Sequence, residues 1–390
     1  MPYEIQLDER PAGYALEAAS GEEGRPVKIA AREFTSSEDG ALFISRLEGW
    51  PAGILAKLPP EANAKPSLVD HLVAVIRQDL TTTVYLNELA PVAEARVTRP
   101  VRAGEGMTEN DIADITDLRY EGIEIPADAA VVIIFSAGWR KGLFYDFVPL
   151  QGEVRSYDLW KLLGSQYSFL TRQGVFRLTD ADWEFLVDQL WFPFITLPKQ
   201  IVNNLVSRAQ SRSDLDILVP DVAQYVERSL PALLERWGRH LVFNHHIDLI
   251  RHAAEEFQEE DFVSATAILY PRIEGLLRDL QMQGFAPEKA TQGTLTERLI
   301  LARAEERHRY SWLLPERFKL YLREAYFAGF EPGKPAKLSR HSVGHGVAAV
   351  TDFNQKAASI GFLVIDQLFW FLPNENTPNP RPEADGSATA

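Results

Sequence analysis

The sequence predicts a multidomain protein in which an N-terminal α+β domain is followed by an all-α C-terminal helical bundle. Three observations predict it. The chain has 390 residues, 46% of them hydrophobic, and single hydrophobic cores stop growing at roughly 250–300 residues. Residues 1–150 carry short β-branched or aromatic runs separated by turn signals, the mark of strands. From Tyr157 onward the apolar residues recur at three- and four-residue spacing, the mark of amphipathic helices.

Taken in order, Pro59–Pro60 and Gly104–Gly106 mark turns, Ser67–Arg77 is expected as a helix, and Thr82–Leu86 as a strand. Val131-Val-Ile-Ile-Phe135 is an uninterrupted apolar run, as expected of a strand buried on both faces. Ser136–Gly142 and Leu143–Val148 then complete a hairpin. Thr179-Asp-Ala-Asp182 opens a helix with a capping residue and acids in the first turn, which runs through Leu190 until Pro193. Further helices are expected at Pro198–Gln210, Pro220–Trp237, Asn244–Phe257, Asp261–Gln283, Thr294–Arg307 and Leu314–Gly329. A last one begins near Thr351–Asp352 and ends at Pro373; its apolar stripe is Phe353, Ala357, Ile360, Val364, Leu368 and Phe371. The segmentation is therefore an α+β domain over 1–156, a helical connecting segment over 157–239, a helical bundle over 240–372 and a proline-rich disordered tail over 373–390.

Composition narrows the function classes. The formal charge is −15, which argues against coating nucleic acid through overall charge. The charge is uneven, however: residues 240–372 carry 15 Lys and Arg against 17 Asp and Glu, and residues 1–239 a balance of about −11. Seven of the eight histidines also lie from His240 onward. The absence of cysteine excludes disulfides, thiolate metal sites and cysteine nucleophiles. No run approaches the roughly 18 apolar residues of a membrane helix, and Met1-Pro-Tyr3 lacks the features of a signal peptide. The expectation is a cytoplasmic protein with no membrane association.

The chemistry-bearing segment is Lys337-Leu-Ser-Arg-His-Ser-Val-Gly-His-Gly346. Ser339 is placed to cap a short helical turn from Arg340 to His345, and Gly346 to close it in the left-handed conformation. Arg-x4-His at Arg340 and His345, set in Ser-Arg-His-Ser-Val-Gly-His-Gly, resembles the terminal signature of the HEPN (higher eukaryotes and prokaryotes nucleotide-binding) superfamily, in its ribonuclease-like branches. The stretch Ala267–Asp279, with an acidic residue at Glu274, resembles the second helix of these domains. The resemblance covers residues 240–372, a third of the chain, and implies a metal-independent endoribonuclease that acts on RNA, with a toxin or phage-defence context. Arg340 and His345 are placed at the start of the final helix.

Chance spacing produces competitors among 29 arginines and eight histidines. Arg303 and His308 share the spacing but sit among charged residues and read as a solvated surface. Arg239 with His245 and His246 lies ahead of the helical module.

Cutting RNA without a metal requires a base for the 2′-hydroxyl, an acid for the leaving 5′-oxygen and a cation for the phosphorane. An imidazole serves as acid or base, and a guanidinium grips two phosphate oxygens. Five residues along a helix correspond to about 140° and about 7.5 Å, so one chain's pair is not expected to converge. A homodimer through the C-terminal helices would supply the second set.

Accessory residues are His341, Lys337, Glu274 and Arg278. His341 either contacts phosphate or orders Arg340, or is a surface histidine. Glu274 either forms a plain i, i+4 ion pair with Arg278 or orients a catalytic side chain. Gly344 and Gly346 either admit a phosphate to the backbone or end the turn. His252 and Glu256, with His245 and His246 upstream, have a metal-compatible spacing but no fixed third ligand, and no metal or cofactor is expected. Gly138-Trp-Arg-Lys-Gly142 reads as a hairpin tip, the alternative being a base-stacking turn. The leading reading gives the acidic α+β part the role of sensing, restraining or targeting, through a regulatory ligand or partner. The alternatives are a non-catalytic module that binds nucleotide, RNA or protein as a dimer, and a structural adaptor.

Overall fold

A computed structural model describes residues 2–11, 17–18, 23–24, 29–87, 89–282, 291–301, 308–331, 333–334 and 336–372. It divides into two compact units. The first comprises residues 1–96, 114–173 and 308–311, and the second residues 97–113, 174–307 and 312–390. Of the stretch 157–239, the helix α3 (Leu159–Thr171) lies in the first unit and everything from Gly174 in the second. The expected tail, 373–390, and Arg303 fall outside the described residues.

The strands are β1 (Tyr3–Gln6), the short pair β2 (Glu17–Ala18) and β3 (Ile29–Ala30), β4 (Arg32–Ser36), β5 (Leu72–Ile76), β6 (Thr81–Leu86), β7 (Pro91–Val97), β8 (Ile112–Tyr120), β9 (Ala130–Ala137) and β10 (Arg140–Asp146). Six of them form one antiparallel sheet in the order β1-β6-β5-β9-β10-β4, while β7 and β8 pair separately. One face of the sheet, through Leu72, Ala74, Val132, Ile134 and Leu143, packs against Phe43 of α1 (Ala41–Leu47) and against Ile54 and Leu55 of α2 (Trp50–Ala56). The opposite face of β9 and β10 meets α3. Covering both faces is what makes Val131–Phe135 continuously apolar. β9 and β10 join through the two-residue loop Gly138–Trp139, with Arg140 paired to Ala137, so the hairpin reading of that segment is correct.

One expectation fails in this unit. Ser67–Arg77 is not a helix: Pro66–Leu68 makes a single 3-10 turn and Leu72–Ile76 is the fully buried strand β5. A run apolar at every position satisfies helical and strand periodicity alike, and here the β-branched residues and the central place in the sheet decide.

The second unit is helical. Its elements are α4 (Gln173–Phe176), whose first residue belongs to the first unit, α5 (Asp180–Asp188), α6 (Lys199–Gln210), α7 (Val219–Gly238), α8 (Leu241–Asn244), α9 (Ile247–Gln258), α10 (Phe262–Met282), α11 (Gln292–Leu301), α12 (Pro315–Tyr321), α13 (Arg340–Gly344) and α14 (Gln355–Phe369). Thr179 caps α5 through a reciprocal pair with Asp182, as expected, although the helix stops at Asp188 rather than Leu190. α10 lies at the centre, packed against α9, α11, α13 and α14, and α14 also packs on α7. Asp366 of α14 is fully buried; Arg236 pairs with it, and the Trp237 and Trp370 indole N–H groups donate to it at 3.1 and 3.4 Å. Among the described residues no helix is long and apolar enough to cross a membrane.

Two stability predictions follow from the first unit. The Asp146 carboxylate is 1% exposed and accepts from Arg155 Nε at 3.2 Å and from the Tyr157 hydroxyl at 2.6 Å. Arg155→Met leaves that buried charge short of its cation and is expected to cost about 3–5 kcal/mol, read by chemical denaturation. Burial lowers the His71 pKa; Asp70 opposes this and Lys141 adds to it. The folded chain therefore holds the ring neutral, while the unfolded chain takes up a proton as pH falls through about 6.5. The stability of this unit is expected to be complete above that pH and to decline below it, with a flatter acid limb of the thermal midpoint in His71→Gln.

Candidate functional site

The turn that carries the signature is built by local hydrogen bonds. Ser339 caps α13: its backbone N–H donates to Ser342 Oγ at 2.8 Å, and Ser342 N–H donates back to Ser339 Oγ at 3.1 Å. Both serines are buried. At the other end Gly346 has φ +68°, and its N–H reaches Val343 O at 3.2 Å while Val347 N–H reaches Ser342 O at 2.9 Å. These two bonds form a Schellman closure, which needs a left-handed residue at that position. A five-residue helix is marginal by itself, and two satisfied ends hold this one. His345 is its C-terminal cap residue. Contrary to the expected placement, α13 is not the beginning of the final helix: α14 starts at Gln355, capped by Asn354.

α10 supplies the facing wall. Glu274 Oε1 accepts from Arg278 Nε at 2.9 Å and Nη2 at 2.6 Å, one turn along the helix. Its other oxygen, Oε2, lies 2.8 Å from Arg340 Nε. The Arg340 N–H is not aimed at that oxygen, so this contact is a charge pair rather than an aligned hydrogen bond. The carboxylate thus makes the expected helix ion pair with Arg278 and also pairs with Arg340 of the turn. Behind it, a π turn at Leu322–Tyr326 brings Tyr326 inward, and its hydroxyl donates to Tyr270 O. Burial, reinforced by the Glu274 carboxylate and opposed by Arg340, pushes the Tyr326 phenol well above its usual range, so it stays a neutral donor.

The Arg340 guanidinium folds back over Gly344. A Cβ at residue 344 would lie 1.9 Å from Arg340 Nη1, so only glycine permits the close approach. Arg340 and His345 line one and the same cleft. The cleft holds about 580 Å³ and is lined by Glu274, Arg278, Thr291, Gln292, Gly293, Arg340, His341 and His345. The imidazoles of His341 and His345 face one another at 6.1 Å between centroids and 16° between planes. The Gln292 side-chain amide hydrogen-bonds His341 at Nε2, and Phe330 meets the His345 ring edge to face at 5.6 Å.

Other expected residues lie elsewhere. Lys337 pairs with Asp188 at 3.0 Å and does not line the cleft. His252 bonds locally to Glu255 and Glu256, while His245 and His246 turn toward Asp279. Among the described residues no group of three potential ligands assembles for a metal. His308, expected on a solvated surface, is instead about 10% exposed, with Nε2 2.5 Å from Ile115 O. Arg239 is exposed and paired with Glu235. At the hairpin tip Trp139 is 73% exposed, but Arg140 engages Glu38 and Lys141 engages Asp70.

The residues missed by sequence reading are Thr291, Gln292 and Gly293. A Thr-x-x-Thr cap announces them: Thr291 N–H donates to Thr294 Oγ1 at 2.9 Å and Thr294 N–H returns to Thr291 Oγ1 at 3.2 Å. Taking Thr294 as the start of α11 placed its first turn outside the site. Comparison with protein-family models, with curated proteins and with solved structures finds no match for the chain.

Gly344→Ala is expected to leave folding within about 1 kcal/mol of the parent, since the new methyl meets the movable end of a side chain. It is expected to lift the Arg340 guanidinium off α13, as a crystal structure of the variant would display.

Proposed function

We propose that the helical unit is a metal-independent endoribonuclease of HEPN type, with its active site in the α10–α13 cleft. One observation carries the reading: Arg340, His341 and His345 of a single short turn share an open cleft with Arg278 and Glu274 of the central helix. Arg340, supported by Arg278, holds the phosphodiester and stabilises the charge that grows on the phosphorane. Glu274 takes no part in bonding the substrate; it fixes the direction of Arg340. An imidazole removes the 2′-hydroxyl proton, O2′ attacks phosphorus, the bond to O5′ breaks, and a proton is delivered to that oxygen. The products are a 2′,3′-cyclic phosphate and a 5′-hydroxyl end.

The charge distribution fits a local rather than a general affinity for RNA. Residues 240–372 are nearly neutral and residues 1–239 strongly acidic, so attraction is confined to the basic turn and the acidic part repels bulk RNA over roughly a Debye length. A regulatory role for the α+β region and an isologous homodimer through the helical region belong to the same proposal.

The test is cleavage of end-labelled RNA in EDTA. The parent protein is expected to cut and leave cyclic phosphate ends, and His345→Ala and Arg340→Ala to lose about 10²–10⁴-fold in rate. Equal rates in all three proteins, or no cleavage by any, overturn the reading.

A further inference from the structure

We propose that His308–Ser311 is a clamp through which the first unit governs the candidate site: while the segment is held, α12 and the π turn behind Glu274 keep their places, and when it is let go they loosen. The clamp stands on its own contacts, and its effect on RNA cleavage rests on the ribonuclease reading.

Residues 308–311 belong to the first unit, whereas the stretches 174–307 and 312–390 on either side belong to the second. The segment is tied down along its length. His308 Nε2 donates to Ile115 O at 2.5 Å, Tyr310 N–H donates to Ser165 Oγ at 3.2 Å, the Ser168 hydroxyl donates to Tyr310 O at 2.7 Å, and the Ser311 hydroxyl donates to Asp114. Ser165, Ser168, Ser311 and Asp114 are buried, and the Tyr310 ring meets Phe169 at 4.7 Å. Ser165, Ser168 and Phe169 stand at i, i+3 and i+4 of α3, which is one helix face. The segment is thus seated between that face and the start of β8. A connecting loop ordinarily leaves its backbone groups to water; here buried serines take them.

The chain leaving the clamp is strained. Trp312 and Leu313 are buried, and Gln367 Nε2 of α14 donates to Leu313 O at 3.1 Å. Leu314 then takes φ +48° and ψ +52°, a left-handed conformation that a leucine keeps only where its surroundings over-determine it. The anchors are the clamp before it and the Gln367 bond with α12 after it. α12 runs directly into the π turn that sets Tyr326 behind Glu274. Both pack on α11, where Glu297 lies 3.5 Å from Lys319 of α12, and α11 gives Gln292 and Gly293 to the cleft. Losing the first anchor lets Leu314 relax, and the relaxation passes to α12, the π turn and the cleft wall.

Amide hydrogen exchange of the full chain, followed by mass spectrometry, tests this in the double variant Ser165→Ala, Ser168→Ala. Both substitutions lie on α3, outside the cleft, and introduce a better helix former. Exchange at α12 and the π turn is expected to rise about tenfold, the scale of one or two lost hydrogen bonds, with β5, β9 and α14 at parental rates. Val132→Ala, which opens a cavity in the sheet away from the clamp, is expected to loosen the sheet and leave α12 unchanged. Parental exchange at α12 in the serine variant, exchange raised as much in the sheet as at α12, or raised exchange at α12 in Val132→Ala overturns the inference. On RNA the serine variant is expected to lose about 2–30-fold in rate, and a parental rate overturns the link from clamp to site. Absence of RNA cleavage by the parent protein overturns the ribonuclease reading, and the exchange result then still decides the clamp.

Discussion

The Glu274 carboxylate, shared between the guanidiniums of Arg278 and Arg340, is the interaction on which the candidate site depends. One oxygen closes a helix pair with Arg278, and the other meets Arg340 at 2.8 Å. Glutamate N-terminal to arginine at i, i+4 is the favourable order, so the carboxylate is already oriented before α13 arrives. Its side chain is only 18% exposed and that of Arg340 26%, which strengthens the attraction relative to a surface pair while keeping one side open to solvent. Two cations on one carboxylate leave this part of the cleft with a positive surplus.

The rest of the site is the means of presenting that arginine. The buried Ser339–Ser342 pair and the Gly346 closure stiffen a turn too short to be stable alone. The π turn at Leu322–Tyr326 departs from regular helix beside the site, and its tyrosine occupies the space behind Glu274 without adding a charge. Gly344 provides the opening through which the guanidinium lies flat on α13. A larger residue there would turn Arg340 away from Glu274 and His345 together.

The fold was legible where a signal repeats along the chain. The helices α5 to α7 and α9 to α14 follow from apolar spacing and caps, and β9 and β10 from an apolar run and a turn. The strand β5 was misread because Leu72–Ile76, buried on both faces, has no polar residue to mark its period. The His308 environment was misread because neighbouring charges describe a local face, whereas the ring is about 10% exposed and bonds a carbonyl of β8, distant in sequence.

The sequence by itself determined the signature turn: its capping serines, its closing glycine, and the placing of an arginine and two imidazoles within six residues. Each of these is a short-range relation, settled by backbone geometry and hydrogen bonds that span five residues or fewer. Only the tertiary structure decided that residues of α10, α11 and α13 line one cleft, that Glu274 meets the arginine, and that Gln292, 49 residues before His341, holds its ring. Those relations are contacts between separate helices, made by packing around α10, and no spacing along the chain encodes them.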